Sequence, residues 1–299
     1  MLSPSQIEEY EQNSFLLLPG FFDDDMVNKI QQWSMELPLQ EGVEVGFEKG
    51  AVTRCENFIH RHSGFEEVAG NQSRLAHICG ELFGEDHAAY LVKEKLNYKP
   101  PGGAGFMPHL DHPSLAFYLP SQLDNFITVM VAIDDMTTAN GCLRVHQGKW
   151  NSSNVVDCIP PDGDPEVGGR AGCISDVGLC HLKEFDDVVC KAGDIFCFNG
   201  YVPHRSSSNS TSKCRRAVFF TYNPHSHGDH RTQYYQQLND IRNNWKEKLR
   251  AQMLADRENE ARAFASIPFT RKIVETYVPP PYISDSSEDE DETEFAPLF

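Results

Sequence analysis

The chain has no run of about 20 apolar residues, the length a helix needs to cross a bilayer. No membrane span is therefore expected. Its first residues, Met1-Leu2-Ser3-Pro4-Ser5-Gln6, hold no Lys or Arg and lead into no apolar stretch, so no secretory leader is read there. Cys-x-x-Cys pairs are missing. The nine cysteines are scattered, and an odd total fits no closed disulfide framework. That usage points to the cytoplasm or another reducing intracellular compartment. Basic residues are scarce, with 26 Lys and Arg against 44 Asp and Glu and a net charge of −18. A nucleic-acid backbone needs a basic footprint, so no nucleic-acid partner is expected.

What is present is enough apolar material for a sizeable core, 40% of 299 residues. One domain over 1–283 is expected, followed by a disordered acidic tail over 284–299. Seven of the acidic residues fall in 284–294, which leaves roughly −11 for the rest. Ser284, Ser286 and Ser287 beside them look like a phosphorylation target; solubilising the chain is the plainer role.

Helical signals cluster at the two ends, mainly over 1–84 and 231–265. Ser3, Pro4 and Gln6 form a capping-box pattern, Asp23 to Asp25 offer caps for a second helix, and Gly84 would end a third. From Arg231 onward Tyr234, Leu238, Ile241, Trp245, Leu249 and Met253 repeat at helical spacing. Short strands fill the middle: 15–18, 88–98, 126–133, 142–146, 188–190, 194–198 and 217–222. Residues 39–52 read as loop, and Asn140-Gly141 as a hairpin turn. The Gly-, Pro- and Asp-rich stretch 150–184 reads as a lid over an active site. Many short strands between terminal helices suggest a mainly β fold, a jelly roll with helical buttresses.

The chemistry concentrates in Pro108-His109-Leu110-Asp111-His112. On an extended strand, residues two apart project on one face. An imidazole and a carboxylate would then stand side by side, and a distant second imidazole would complete a 2-His-1-carboxylate triad, the set that typifies non-haem Fe(II) oxygenases. His204 is the candidate, delivered by the strand and loop that follow Ala192-Gly193-Asp194. Arg215, eleven residues later, enters an apolar strand. A buried guanidinium needs a carboxylate, either an internal Asp or Glu or a dicarboxylate co-substrate. His225, His227, Asp229 and His230, like His60 and His62, read as solvated loop. Lys93 and Lys95 read as a solvent-facing pair.

Together these residues resemble the phytanoyl-CoA dioxygenase-like (PhyH) family of Fe(II)/2-oxoglutarate oxygenases, from about residue 3 to 225. The matching pieces are Phe15-Leu16-Leu17-Leu18-Pro19-Gly20-Phe21-Phe22, His109-x-Asp111, Ile133-Asp134-Asp135 with Asn140-Gly141-Cys142-Leu143, and His204-x-Ser206-x-x-Asn209 with Arg215. The resemblance implies a double-stranded β-helix core of the cupin type. It implies His109, Asp111 and His204 as iron ligands and Arg215 as the clamp on 2-oxoglutarate. It adds Asn97, Thr128 and Ser206 as further residues of the co-substrate pocket, and dioxygen as the oxidant. Where relatives often carry Pro-Gly-Ser-His, this chain has His146-Gln147-Gly148-Lys149-Trp150.

Val92 to Phe106 and Arg54-x-Glu56-Asn57-Phe58 resemble the subgroup that contains 2-aminoethylphosphonate dioxygenase. Algal kainoid synthases look similar in kind. A small polar substrate is implied, amino-acid- or aminophosphonate-like, with Arg54, Asn57 and Lys95 as candidates for its head group. Hydroxylation, desaturation and ring closure all stay open, while Asp111 in place of Gly or Ala argues against a halogenase. An acyl-CoA hydroxylase fits less well, because an acidic chain without a basic cluster is a poor host for the phosphates of CoA. A non-catalytic β-barrel sensor is opposed by the full triad, and a chromatin demethylase by the lack of a reader module. A monomer or homodimer is expected.

Overall fold

The computed structural model describes residues 1–119, 123, 125–159 and 172–265. The acidic tail lies outside these residues, as does the middle of the expected lid. Met1–Tyr235 forms one compact unit that holds every described strand. The described residues 236–265 belong to a second.

The N-terminal helices follow their caps. In α1 (Pro4–Asn13) the Ser3 hydroxyl accepts from the Gln6 amide at 3.3 Å, and the Gln6 side chain accepts from Ser3 N–H at 2.8 Å. Asp23 caps α2 (Asp24–Glu36) through Met26 N–H at 2.9 Å. Then come α3 (Ser63–Ala69) and α4 (Arg74–Phe83), the latter ended by Gly84 at φ 75°.

The described residues hold eleven strands, in chain order β1 (Phe15–Leu18), β2 (Glu44–Glu48), β3 (Ala51–Glu56), β4 (Tyr90–Lys99), β5 (Phe106–His109), β6 (Ile127–Ala132), β7 (Leu143–Val145), β8 (Asp186–Val188), β9 (Ile195–Asn199), β10 (His204–Ser206) and β11 (Arg215–Asn223). They make a seven-stranded sheet, ordered β1-β9-β6-β11-β4-β3-β2, and a four-stranded sheet, ordered β5-β10-β7-β8. All pairings are antiparallel. This is the jelly-roll core expected from the sequence. Between β5 and β6 lies α5 (Asp111–Phe117), before β8 a one-turn α6 (Asp176–Leu179), and after β11 the helix α7 (Arg231–Ala265).

The central strand β6 of the large sheet is buried on both faces, which is why it reads as a continuous apolar run. Ile127, Val129 and Val131 belong to the core shared with Leu75, Ile78, Phe65 and the other helical residues. Met130 and Ala132, with Phe196, Phe198 and Ala217, meet Leu143 and Val145 of the small sheet.

Three expectations are corrected. Residues 39–52 are not loop throughout, because β2 and β3 form a hairpin whose two-residue turn is Lys49-Gly50, at φ 50° and 76°. Asn140-Gly141 does not turn one hairpin: β6 and β7, on either side of it, lie in different sheets. Asp111 is not on a strand; β5 ends at His109 and Asp111 opens α5, where loop was expected.

Candidate active site

The site lies between the two sheets, against the inner face of β4, β6 and β11. His109 ends β5, and His204 opens β10 directly opposite it in register. Their rings are 4.0 Å apart between centroids. Leu110 between His109 and Asp111 is extended and fully buried, so the flanking side chains still share the opposite side although Asp111 belongs to a helix. His204 Nε2 is 3.9 Å from Asp111 Oδ1. One ligand atom from each of the three residues falls within 4.8 Å of the others, and among the described residues this is the sole grouping of this kind.

Each ligand is held from behind. His109 Nδ1 donates to the Met107 carbonyl at 2.7 Å, and His204 Nδ1 to the Val202 carbonyl at 3.0 Å. A carbonyl only accepts, so both protons sit on Nδ1 and both Nε2 lone pairs face the centre. The Thr128 hydroxyl donates to Asp111 Oδ2 at 3.0 Å, leaving Oδ1 toward the histidines. Its single proton is thus committed, so the 3.0 Å contact with Thr221 is a donation from Thr221. Burial and the neighbouring His204 pull His109 down to about 3, which keeps its ring neutral. Burial pushes the Asp111 carboxyl up, but His204, Lys93 and His109 outweigh it and hold it at about 2. Two imidazoles with their Nε2 atoms toward the centre and one carboxylate, on one side with the rest open to a cavity, suit an octahedral Fe(II).

Arg215 lies deep in the same cavity, 4% exposed. Its Nη2 donates to the Gly141 carbonyl at 2.5 Å, and its Nε has no partner. No described Asp or Glu forms an ion pair with it, so the internal salt bridge left open by the sequence is not there. Opposite it in register stands Lys99, also 4% exposed, whose Nζ donates to Ser206 Oγ at 2.8 Å and to the carbonyls of Ser207 at 2.7 Å and Gly141 at 3.2 Å. Burial and Arg215 pull the Lys99 amine down to about 7. Two adjacent buried cations with no carboxylate are costly alone, and they suit an anionic ligand. The Asn-Gly signal finds its use here. A Cβ at Gly141 would sit 2.2 Å from the Ser207 carbonyl oxygen, so glycine lets the two backbones close in, with the Gly141 carbonyl accepting from both cations and the Ser207 carbonyl from Lys99.

Of the other residues singled out in the sequence, Asn97, Ser206 and Lys95 line the cavity. Ser206 is held by Lys99 and by the Phe106 amide at 3.2 Å. Thr128 also lines it, but its hydroxyl orients Asp111 rather than facing a co-substrate. Arg54 and Asn57 do not line it. Arg54 leans on Glu56 at 3.8 Å, and Asn57 bridges Glu44 and Arg231 at 3.3 and 3.2 Å. The solvent reading of Lys93 and Lys95 is overturned: both face the cavity. Lys99 was missed, because a lysine at the end of a strand gives no sign of burial. Of the expected lid, Cys173 bridges to His109 and lines the cavity, while 160–171 lie outside the described residues. His62 caps α3 through Phe65 N–H, and His225 stacks on Tyr90.

A jelly roll that pairs this triad with a buried, unpaired arginine defines the class of Fe(II)- and 2-oxoglutarate-dependent dioxygenases. The chain belongs to the family described as phytanoyl-CoA dioxygenase (PhyH), which matches residues 10–217. It is 32% identical over 240 residues to the 2-aminoethylphosphonate dioxygenase of an uncultured bacterium, covering 77% of this chain and 85% of that one. It is 30% identical over 246 residues to the methylphosphonate hydroxylase of Gimesia maris, covering 78% and 85%. Among solved structures it resembles EctD from S. alaskensis with 2-oxoglutarate and 5-hydroxyectoine, at TM-score 0.60 and 20% identity over 75% of this chain and 77% of that one.

Proposed function

We propose that the protein hydroxylates a small polar metabolite of the amino-acid or aminophosphonate kind. The reading rests above all on Arg215, a buried guanidinium in the triad's cavity with no protein carboxylate to meet it. Its likeness to relatives named for phosphonates supports the substrate class.

His109, Asp111 and His204 would hold Fe(II), and Arg215 would take the far carboxylate of 2-oxoglutarate, with the charge of Lys99 behind it. So loaded, the site spends one O2, placing one oxygen atom in a substrate C–H bond and the other in succinate, with CO2 released. The protein's own part is orientation. Met107 and Val202 fix the imidazoles, Thr128 fixes the carboxylate, and the apolar walls from Phe198, Phe219 and Leu143 keep bulk water away. All ligands come from one chain, which supports a monomer or a homodimer with independent sites. Nine free cysteines support a reducing intracellular compartment. No described helix is long and apolar enough to cross a membrane.

Anaerobic addition of Fe(II) and then 2-oxoglutarate should produce a weak visible charge-transfer band, and air should then yield succinate. A protein that gives neither is not this enzyme.

A further inference from the structure

The cavity has two cationic ends, and 2-oxoglutarate accounts for one. Arg215 and Lys99 face each other at one end of the β4–β11 pair. Lys93 is six residues from Lys99 on β4, about 20 Å along an extended strand. A five-carbon diacid, at ~1.5 Å per bond, cannot serve both ends.

Lys93 lines the cavity and forms no ion pair with any described residue. Its register partner on β11 is Thr221, and the next residue across, on β6, is Thr128. That row runs directly to Asp111, which Thr128 holds. Lys95, two residues on, projects into the same cavity, 5.7 Å from the centre of the Phe106 ring. Glu56 is its register partner on β3 but does not line the cavity. Asp111 is the one acidic residue among the described residues that do. With Fe(II) bound, its charge is already committed. In a chain of net charge −18, a cavity-lining lysine with no ion pair of its own, beside the single carboxylate, marks the place where an anion enters.

We infer that the substrate carries a small oxyanion head group, phosphonate or carboxylate, and that Lys93 receives it beside the metal ligands. The inference rests on the dioxygenase reading above and narrows its substrate to an anion.

The test uses the anaerobic protein loaded with Fe(II) and saturated with 2-oxoglutarate, which blocks the Arg215 end. Calorimetric titration compares methylphosphonate, acetate and inorganic phosphate with the uncharged dimethyl ester of methylphosphonate. At least one oxyanion is expected to bind at concentrations up to tens of millimolar, and the ester is not. Methylphosphonate binding tighter than acetate assigns a phosphonate head group, and the reverse order a carboxylate. Lys93→Met should weaken the bound oxyanion about tenfold while leaving the charge-transfer band and the 2-oxoglutarate affinity unchanged. Binding of the ester as tight as that of its parent, or no oxyanion binding at all, overturns the inference, and these wild-type comparisons decide it even if the variant fails to fold. Unchanged affinity in a folded Lys93→Met protein overturns it too. A wild-type protein without the band removes the dioxygenase reading itself; a band without oxyanion binding removes only this inference.

Discussion

The Thr128 hydroxyl reaches Asp111 Oδ2 at 3.0 Å and receives a hydrogen bond from Thr221 at the same distance. Asp111 opens a short helix whose N-cap, Leu110, makes no side-chain cap, so this pair of threonines supplies the orientation that a strand would otherwise give. Thr128→Val keeps the shape and removes the donor. Fe(II) affinity is expected to fall about 10- to 100-fold, as for other residues that brace a metal ligand, at a stability cost of about 1–3 kcal/mol for the buried Thr221 hydroxyl left without its acceptor. Fe(II) titration followed by the charge-transfer band checks this, and unaltered affinity contradicts the role.

His109→Ala and Arg215→Ala should fail differently. The first removes a ligand and should abolish Fe(II) binding. The second should leave metal bound and raise the 2-oxoglutarate requirement by about tenfold or more, since a charge-assisted contact is lost. Metal loss in the Arg215 variant would contradict the division.

Lys99 gives the site a pH dependence of definite sign. In the folded chain its amine sits at about 7, below its ordinary 10.5, because it is buried beside Arg215. Between those values the unfolded chain holds a proton that the ligand-free native state has released, so this group makes stability rise with pH across that window. A carboxylate arriving at Arg215 favours the ammonium form. Binding of 2-oxoglutarate at pH 8 should therefore take up a proton, and affinity should weaken above pH 7 by up to about tenfold per pH unit. Calorimetry in buffers of different ionisation heat measures the uptake; proton release would refute it. Lys99→Met should flatten the profile.

Glu94 tests the reverse face of β4. It is 1% exposed and accepts from the Phe58 and Ile59 amides at 2.6 and 2.7 Å and from both terminal nitrogens of Arg231. Glu94→Gln leaves a buried guanidinium without its counter-charge and should cost about 3–5 kcal/mol. Urea unfolding reads this directly, while the folded fraction should keep its charge-transfer band.

The sequence made some of this legible and hid the rest, for physical reasons. The caps at Ser3 and Gly84 are local chemistry and read correctly, and the cap of α2 falls on Asp23, one of the three aspartates the sequence offered. The spacing of His109, Asp111, His204 and Arg215 survives because it is set by strand pairing and by one extended residue, Leu110. The β2–β3 hairpin escaped notice because its strands are half exposed and lack alternation, and its turn is Lys-Gly rather than Asn-Gly. Asn140-Gly141 misled because the same dipeptide that suits a hairpin also suits a close backbone approach between sheets. Lys93, Lys95 and Lys99 gave no sign of their surroundings, since a lysine at alternate strand positions looks the same whether it faces water or a ligand.

Strand β4 keeps two kinds of information on alternate residues. Lys93, Lys95 and Asn97 face the cavity, while Glu94 and Leu96 are locked into the packed side. Variation at 93, 95 and 97 can therefore retune which molecule is accepted while leaving the packed core in place, and variation at 94 and 96 does the opposite. A library randomised at 93, 95 and 97 alone would explore new substrates on an unchanged scaffold, so a single strand lets specificity diverge while the fold stays still.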